Sequence, residues 1–182
     1  MSARAGCVVA VSAAPDNGFS KPNRDCIRLI EGLGVEGDAH LGRTVQHLYL
    51  AKKDPLAPNL RQVHLIHEEL LSELSEKGFV VAAGELGENI TTRDIDLLSL
   101  PTGAQLIIAD TCIEITGLRN PCIQLDTFQA GLTKAVIEKD THGKPVFKAG
   151  IMGIVIRGGE IRPDDAIMLE LPPGPPKPLT LV

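Results

Sequence analysis

Arg119-Asn120-Pro121-Cys122 concentrates the residue types from which an activated thiol can be built. Asn is a strong helix N-cap, and Pro suits the first helical position, where its missing N–H is not needed. The spacing predicts a helix through Ile123, Leu125 and Phe128, with Cys122 in its first turn. Free N–H groups and the positive end of a helix dipole favour a thiolate there, and Arg119 adds a fixed positive charge. A thiolate is both a nucleophile and a soft metal ligand, so the chemistry on offer is sulfur chemistry or transition-metal ligation. The other three cysteines carry less signal. Cys7 and Cys112 lie inside apolar runs and read as small core residues, whereas Cys26, beside Asp25 and near Arg28, reads either way.

Other polar clusters are open to two readings. Gly32, Gly34 and Gly37 match the spacing of a dinucleotide-binding fingerprint. That fingerprint needs a helix to begin at its last glycines, but Asp38-Ala39-His40-Leu41-Gly42-Arg43 follows with no apolar helical period, so the stretch reads as a loop. His40 and His47 flank Arg43 and either line an anionic pocket or lie on an exposed loop. His64 and His67 are three apart, a spacing that does not diagnose a zinc site. Residues 84–92, with glycines beside Glu88, Asn89, Thr91 and Thr92, read from chemistry alone as a decorated turn. The alternative is a polar pocket wall.

The elements that must position these residues are short. The 182-residue chain is 43% hydrophobic, ample for one core, and its 18 Gly and 13 Pro imply many turns. Strands are predicted at 6–11, 26–30, 44–50, 62–66, 90–92, 105–110, 112–116, 151–157, 160–161 and 167–171. Residues 105–116 form a hairpin, and Gly158-Gly159 signals another. Helices are predicted at 67–77, closed by Gly78, then after Cys122, and at 133–138. Strands dominate, so the fold class is mainly β with a few helices: a mixed, largely antiparallel barrel spanning 1–171. Residues 172–182 hold five of the prolines, with a PxxPxK pattern, and read as an extended, mobile tail.

Aromatics make up 3% of the chain, with no Trp, and the net charge is −5. Both argue against nucleic-acid binding. No apolar run approaches the roughly 20 residues of a membrane helix, so no membrane association is expected. The cysteines form no CxxC pair, and a chain of this size needs no disulfides, which points to the cytoplasm.

Several segments together resemble the MOSC family, the domain found at the C-terminus of molybdenum cofactor sulfurases. They are residues 34–42, 61–66, 84–92, 119–122 and 153–167, the last ending in Arg162-Pro163-Asp164-Asp165-Ala166-Ile167. They occur in the family's order, and the chain looks like a short, stand-alone bacterial-type member. The resemblance implies a β-barrel of the MOSC type, with Cys122 as the functional thiol. It implies either a persulfide on Cys122 for sulfur delivery or ligation of the molybdenum of a molybdopterin cofactor by Cys122. Pyridoxal phosphate is not expected to be bound covalently by this domain. The implied partners are a pterin cofactor or a sulfur donor protein. A reductase of N-hydroxylated compounds, the alternative activity, would also need an electron-transfer partner. A non-catalytic small-ligand or zinc-binding module is the reading from a different class. On this resemblance Arg119 and Asn120 orient the thiol. Asn89, Thr91 and Thr92 offer hydrogen bonds to the pterin, and Arg61 and Gln62 contribute from a neighbouring strand. Asp38, His40 and Arg43 form a loop over the mouth.

Overall fold

Leu65 and Ile66 are adjacent and both fully buried, yet they belong to two different apolar clusters. Successive side chains of a strand face opposite sides of its sheet, so a strand buried on both faces must separate two cores. That condition organises the molecule. The computed structural model describes residues 3–182. The first strands are β1 (Ala3–Ser12), β2 (Asn23–Arg24), β3 (Ile27–Ile30) and β4 (Gly34–Val35). Helix α1 (Leu48–Lys53), β5 (Val63–His67), α2 (Glu68–Glu76) and β6 (Ile90–Arg93) follow. The hairpin β7 (Gln105–Ile108) and β8 (Thr111–Leu118) leads to α3 (Gln124–Phe128) and α4 (Leu132–Ala135). The last strands are β9 (Ile137–Lys139), β10 (Pro145–Phe147), β11 (Ile151–Arg157), β12 (Gly159–Ile161) and β13 (Ala166–Glu170).

Seven strands close a mixed barrel in the order β13-β7-β8-β11-β5-β6-β1, with β1 pairing back onto β13. Every neighbouring pair is antiparallel except β5–β6, which runs parallel with Leu65 opposite Ile90. A parallel pair needs a crossover, and α2 lies within it. The interior holds Val8, Leu65, Leu106, Ile113, Ile115 and Ile151, among others. The outer cluster packs Leu70, Leu71 and Leu74 of α2 against Ile66, Leu86, Leu125 and Leu132. No helix among the described residues is long and apolar enough to cross a membrane.

Four local expectations are corrected. Residues 44–50 do not form a strand: Thr44 makes an isolated bridge to Pro58, and the chain then turns into α1. Leu, Ala and Lys are good helix formers, and Asp54-Pro55 stops the helix. Gly158-Gly159 does not close a hairpin, because β12 pairs with β3 rather than β11. A Cβ at Gly158 would come within 2.6 Å of the Leu29 carbonyl, so the glycine permits a close crossing between sheets. The helix expected from Cys122 starts later, at Gln124. The Pro-rich tail is extended but tied down. Thr102 N–H donates to Lys177 O at 2.9 Å, Leu118 N–H to Thr180 O at 2.8 Å, and Val182 N–H to Leu118 O at 3.2 Å.

Gly117 makes room for this docking, since a Cβ there would collide with the Thr180 carbonyl and the Val182 side chain. Gly117→Val is therefore expected to detach the tail and spare the barrel. Hydrogen exchange should quicken at least about tenfold at the Val182 amide, with the Ile115 amide unchanged. Equal protection at Val182 in both proteins would show that the tail docks in some other way.

Candidate functional site

Strand β8 delivers the site. At its end Arg119 N–H donates to Gly150 O at 2.9 Å, which fixes the chain as it leaves the barrel. Cys122 follows in an irregular segment, and its carbonyl accepts from Leu125 N–H at 3.1 Å and Thr133 Oγ1 at 3.4 Å. The thiol is half-buried, with Gln124 Oε1 3.5 Å away as its acceptor. Cys122 thus precedes a five-residue helix and does not sit in its first turn.

Cys122 opens into a cleft of about 340 Å³. Of the residues expected at the site, Arg61, Asn89, Arg119, Asn120 and His40 line it together with Cys122. Arg119 is 8% exposed, its guanidinium lies 5.8 Å from the Phe19 ring, and its buried Nη1 has no hydrogen-bond partner. Burial pushes this guanidinium down from its ordinary value, while Cys122 and Glu88 pull it back up. Burial and Arg119 likewise lower Arg61, with Cys122 opposing them. Among the described residues, neither arginine forms an ion pair with a carboxylate.

The remaining expected residues lie behind or beside the cleft. Asp38 is a buried hub that pairs with Lys21 Nζ at 2.9 Å and accepts from His40 N–H at 3.0 Å and Asn89 Nδ2 at 3.1 Å. Burial alone would raise its carboxyl, but the hydrogen bonds from His40 and the charge of Lys21 hold it well below the usual carboxylate range. The Asn89 amide is already engaged, donating also to Ser12 O and accepting from His64 N–H, both at 3.1 Å. Gln62 is a strut between Gly32 O and Val155 N–H. Thr91 Oγ1 donates to Glu88 Oε1 at 3.1 Å, and Thr92 Oγ1 reaches Ile66 O at 3.5 Å. Arg43 is exposed and outside the cleft, whereas His47 lines it, one of the two readings its position allowed.

Sequence reasoning missed Lys21, Phe19 and the placement of His64. Lys21 sits in a featureless loop, 17 residues from its partner Asp38, and nothing local marks it. His64 is buried, with Nε2 2.8 Å from Ala149 O, so the acceptor carbonyl assigns the proton to Nε2. Burial, then Arg119, pushes this imidazole well below its ordinary value, so it is a neutral group of the cleft wall. Burial raises the Glu88 carboxyl despite hydrogen bonds from Gly84 N–H and Thr91. Among the described residues no three His, Cys, Asp or Glu side chains converge as a metal cage, so a metal here would rely on Cys122 and on its own cofactor ligands.

At the end of β8 the barrel thus presents a half-buried cysteine in one cleft with the buried Arg119 and the half-buried Arg61. The family model of the MOSC domain matches residues 39–168, and the chain belongs to that family, which is associated with molybdenum-cofactor function. Among solved structures, the YuaD protein from Bacillus subtilis is similar over 93% of this chain and 98% of its own, at 24% identity and TM-score 0.74. YiiM from Escherichia coli is 18% identical over 94% of this chain and 73% of its own, with TM-score 0.60. YiiM from Geobacillus stearothermophilus is 17% identical over 93% and 75%, with TM-score 0.59. These likenesses show the fold. No curated protein matches the sequence.

Asp38→Asn leaves Lys21 as a buried, unpaired charge and is expected to destabilise by about 3 kcal/mol at neutral pH. Folding depresses the Asp38 carboxyl, so its contribution is complete above about pH 5 and is lost progressively as pH falls below the ordinary carboxylate range toward the depressed folded value. Urea unfolding should therefore show the gap between wild type and variant narrowing on acidification. A gap independent of pH would mean that Asp38 acts through packing alone.

Proposed function

We propose that this chain binds an anionic pterin cofactor of the molybdopterin type in the Cys122 cleft, with the Cys122 sulfur as the protein's ligand to molybdenum. One observation carries this reading: Arg119, buried with Nη1 unpartnered, lines the same cleft as the half-exposed thiol. A buried guanidinium without a partner is expensive unless an anion completes it. The donor set fits the group. A thiolate is a soft ligand suited to a transition metal, and the planar forks of Arg61 and Arg119 suit a phosphate. The cleft volume lies within the range of about 300–1,000 Å³ common for small-molecule sites. Bound there, the group would supply two-electron redox chemistry at its metal.

The chain's own residues bind and orient. Arg61 and Arg119 hold the anionic end, and the anchored Cys122 carbonyl fixes where the thiol points. Asn120 lies at the rim. Asn89 lines the wall, and Gln62, Thr91, Thr92 and Asp38 brace the surrounding segments from behind. His64, kept neutral, adds no charge. Carriage of sulfur as a Cys122 persulfide is the second reading, favoured by the access that the half-exposed thiol has and the buried Cys112 lacks.

The test is metal content and intact mass of protein purified from a molybdopterin-competent host, beside Cys122→Ala. Near-stoichiometric molybdenum and pterin in wild type, reduced at least about tenfold in the variant, is the expected result. An added mass of about 32 Da on Cys122 without molybdenum would transfer the assignment to sulfur carriage. Neither signal in wild type would overturn both.

A further inference from the structure

Residues 44–58 leave the barrel and return through a narrow neck. Val45 N–H donates to Ala57 O at 2.9 Å, Thr44 bridges Pro58, and Asn59 N–H donates to Arg43 O at 3.0 Å. The Asn59 side chain secures the neck from below, donating to His40 O and Gly42 O at 2.9 Å each. Beyond the neck the excursion carries α1, none of whose residues is buried. Its apolar side chains therefore contribute nothing to the core. Leu48 is 63% and Tyr49 65% exposed, and both line the Cys122 cleft. Ile123, 75% exposed, lines the same cleft from the segment after Cys122.

Single exposed apolar residues need no explanation. Three around one cleft, beside two arginines that among the described residues form no ion pair with a carboxylate, form an amphiphilic cavity. We infer that residues 44–58 are the specificity element of this cleft. Its ligand is an aromatic anion, with the anionic group on Arg61 and Arg119 and the flat apolar group covered by Leu48, Tyr49 and Ile123. This deepens the reading above by naming the element and side chains that would select the flat group, and needs from it only that the cleft takes an anion. An apolar group entering here removes its own surface and that of three side chains from water.

Calorimetric titration of the full chain with methyl phosphate and phenyl phosphate tests this, because the two monoesters share an anionic group and differ in the apolar one. Phenyl phosphate is expected to bind at least about tenfold tighter. Leu48→Ala/Tyr49→Ala should abolish that preference while leaving methyl phosphate affinity within about twofold. Val80→Ala, which removes an 83% exposed side chain outside the cleft, should keep it. Tyr49 is the sole tyrosine and the chain has no Trp, so intrinsic fluorescence reports this element alone and should respond to the phenyl ester. Equal affinities for the two esters, binding of neither, or a phenyl preference that survives the double substitution would overturn the inference. Molybdenum retention without a phenyl preference would sink this inference alone. A phenyl preference without molybdenum would sink the cofactor reading alone.

Discussion

One buried carboxylate ties together the segments that build the cleft. The Asp38 side chain is 1% exposed and faces Lys21 Nζ, itself 4% exposed, at 2.9 Å. It also binds His40 N–H and the Asn89 amide, and Asn89 in turn holds Ser12 O at the end of β1 and His64 N–H on β5. Three segments distant in sequence thus meet at one charge. Opposite charges about 4 Å apart attract by about 4 kcal/mol at an effective dielectric of 20. The half-exposed network of Glu73, Lys77, Glu138 and Lys148 lies in water's reach, where each pair contributes about 1 kcal/mol or less. The buried pair therefore decides the geometry, and removing one member exposes the other's desolvation penalty in full.

The same pairing sets the sign of the cleft. Asp38 is committed to Lys21, and burial pushes Glu88 toward its neutral form. Among the described residues neither Arg61 nor Arg119 forms an ion pair with a carboxylate, in a chain whose net charge is −5. A local field of opposite sign to the whole chain selects anions at the site and not over the general surface. Burial also shields Arg119 from the salt that screens exposed charges beyond a Debye length of about 8 Å.

The barrel was legible because its strands alternate apolar side chains against one interior; β11 falls on the expected residues 151–157. The parallel β5–β6 contact was not, since nothing in either segment states which neighbour it takes. Local turn signals failed where a distant partner won: Gly158 serves the approach to Leu29 rather than a hairpin. Cys122 and Arg119 were legible as a motif, and Arg61, Asn89 and His40 followed from the family resemblance. Thr91, Thr92 and Gln62 share those motifs, but their side chains are engaged within the fold, by Glu88, by Ile66 O, and by Gly32 O and Val155 N–H respectively. Lys21 had no local signal because its meaning lies entirely in Asp38. The family match begins at residue 39, yet β1 closes the barrel and Ser12 anchors Asn89, so part of the site's support lies outside the matched segment.

The placement of Cys122 is non-local as well. Upstream, Arg119 is pinned to Gly150 and Leu118 to the tail. Downstream, Leu125 and Leu132 bury into the outer cluster and set the register of α3 and α4, overriding the capping signals of Asn120 and Pro121. A helix of five residues held this way contributes little dipole at the thiol. Arg61 and Arg119, both coupled electrostatically to Cys122, supply the positive surroundings instead. The thiol's environment is thus set by two side chains that the barrel positions, and it responds to the packing of the strand ends more than to the local sequence around the cysteine.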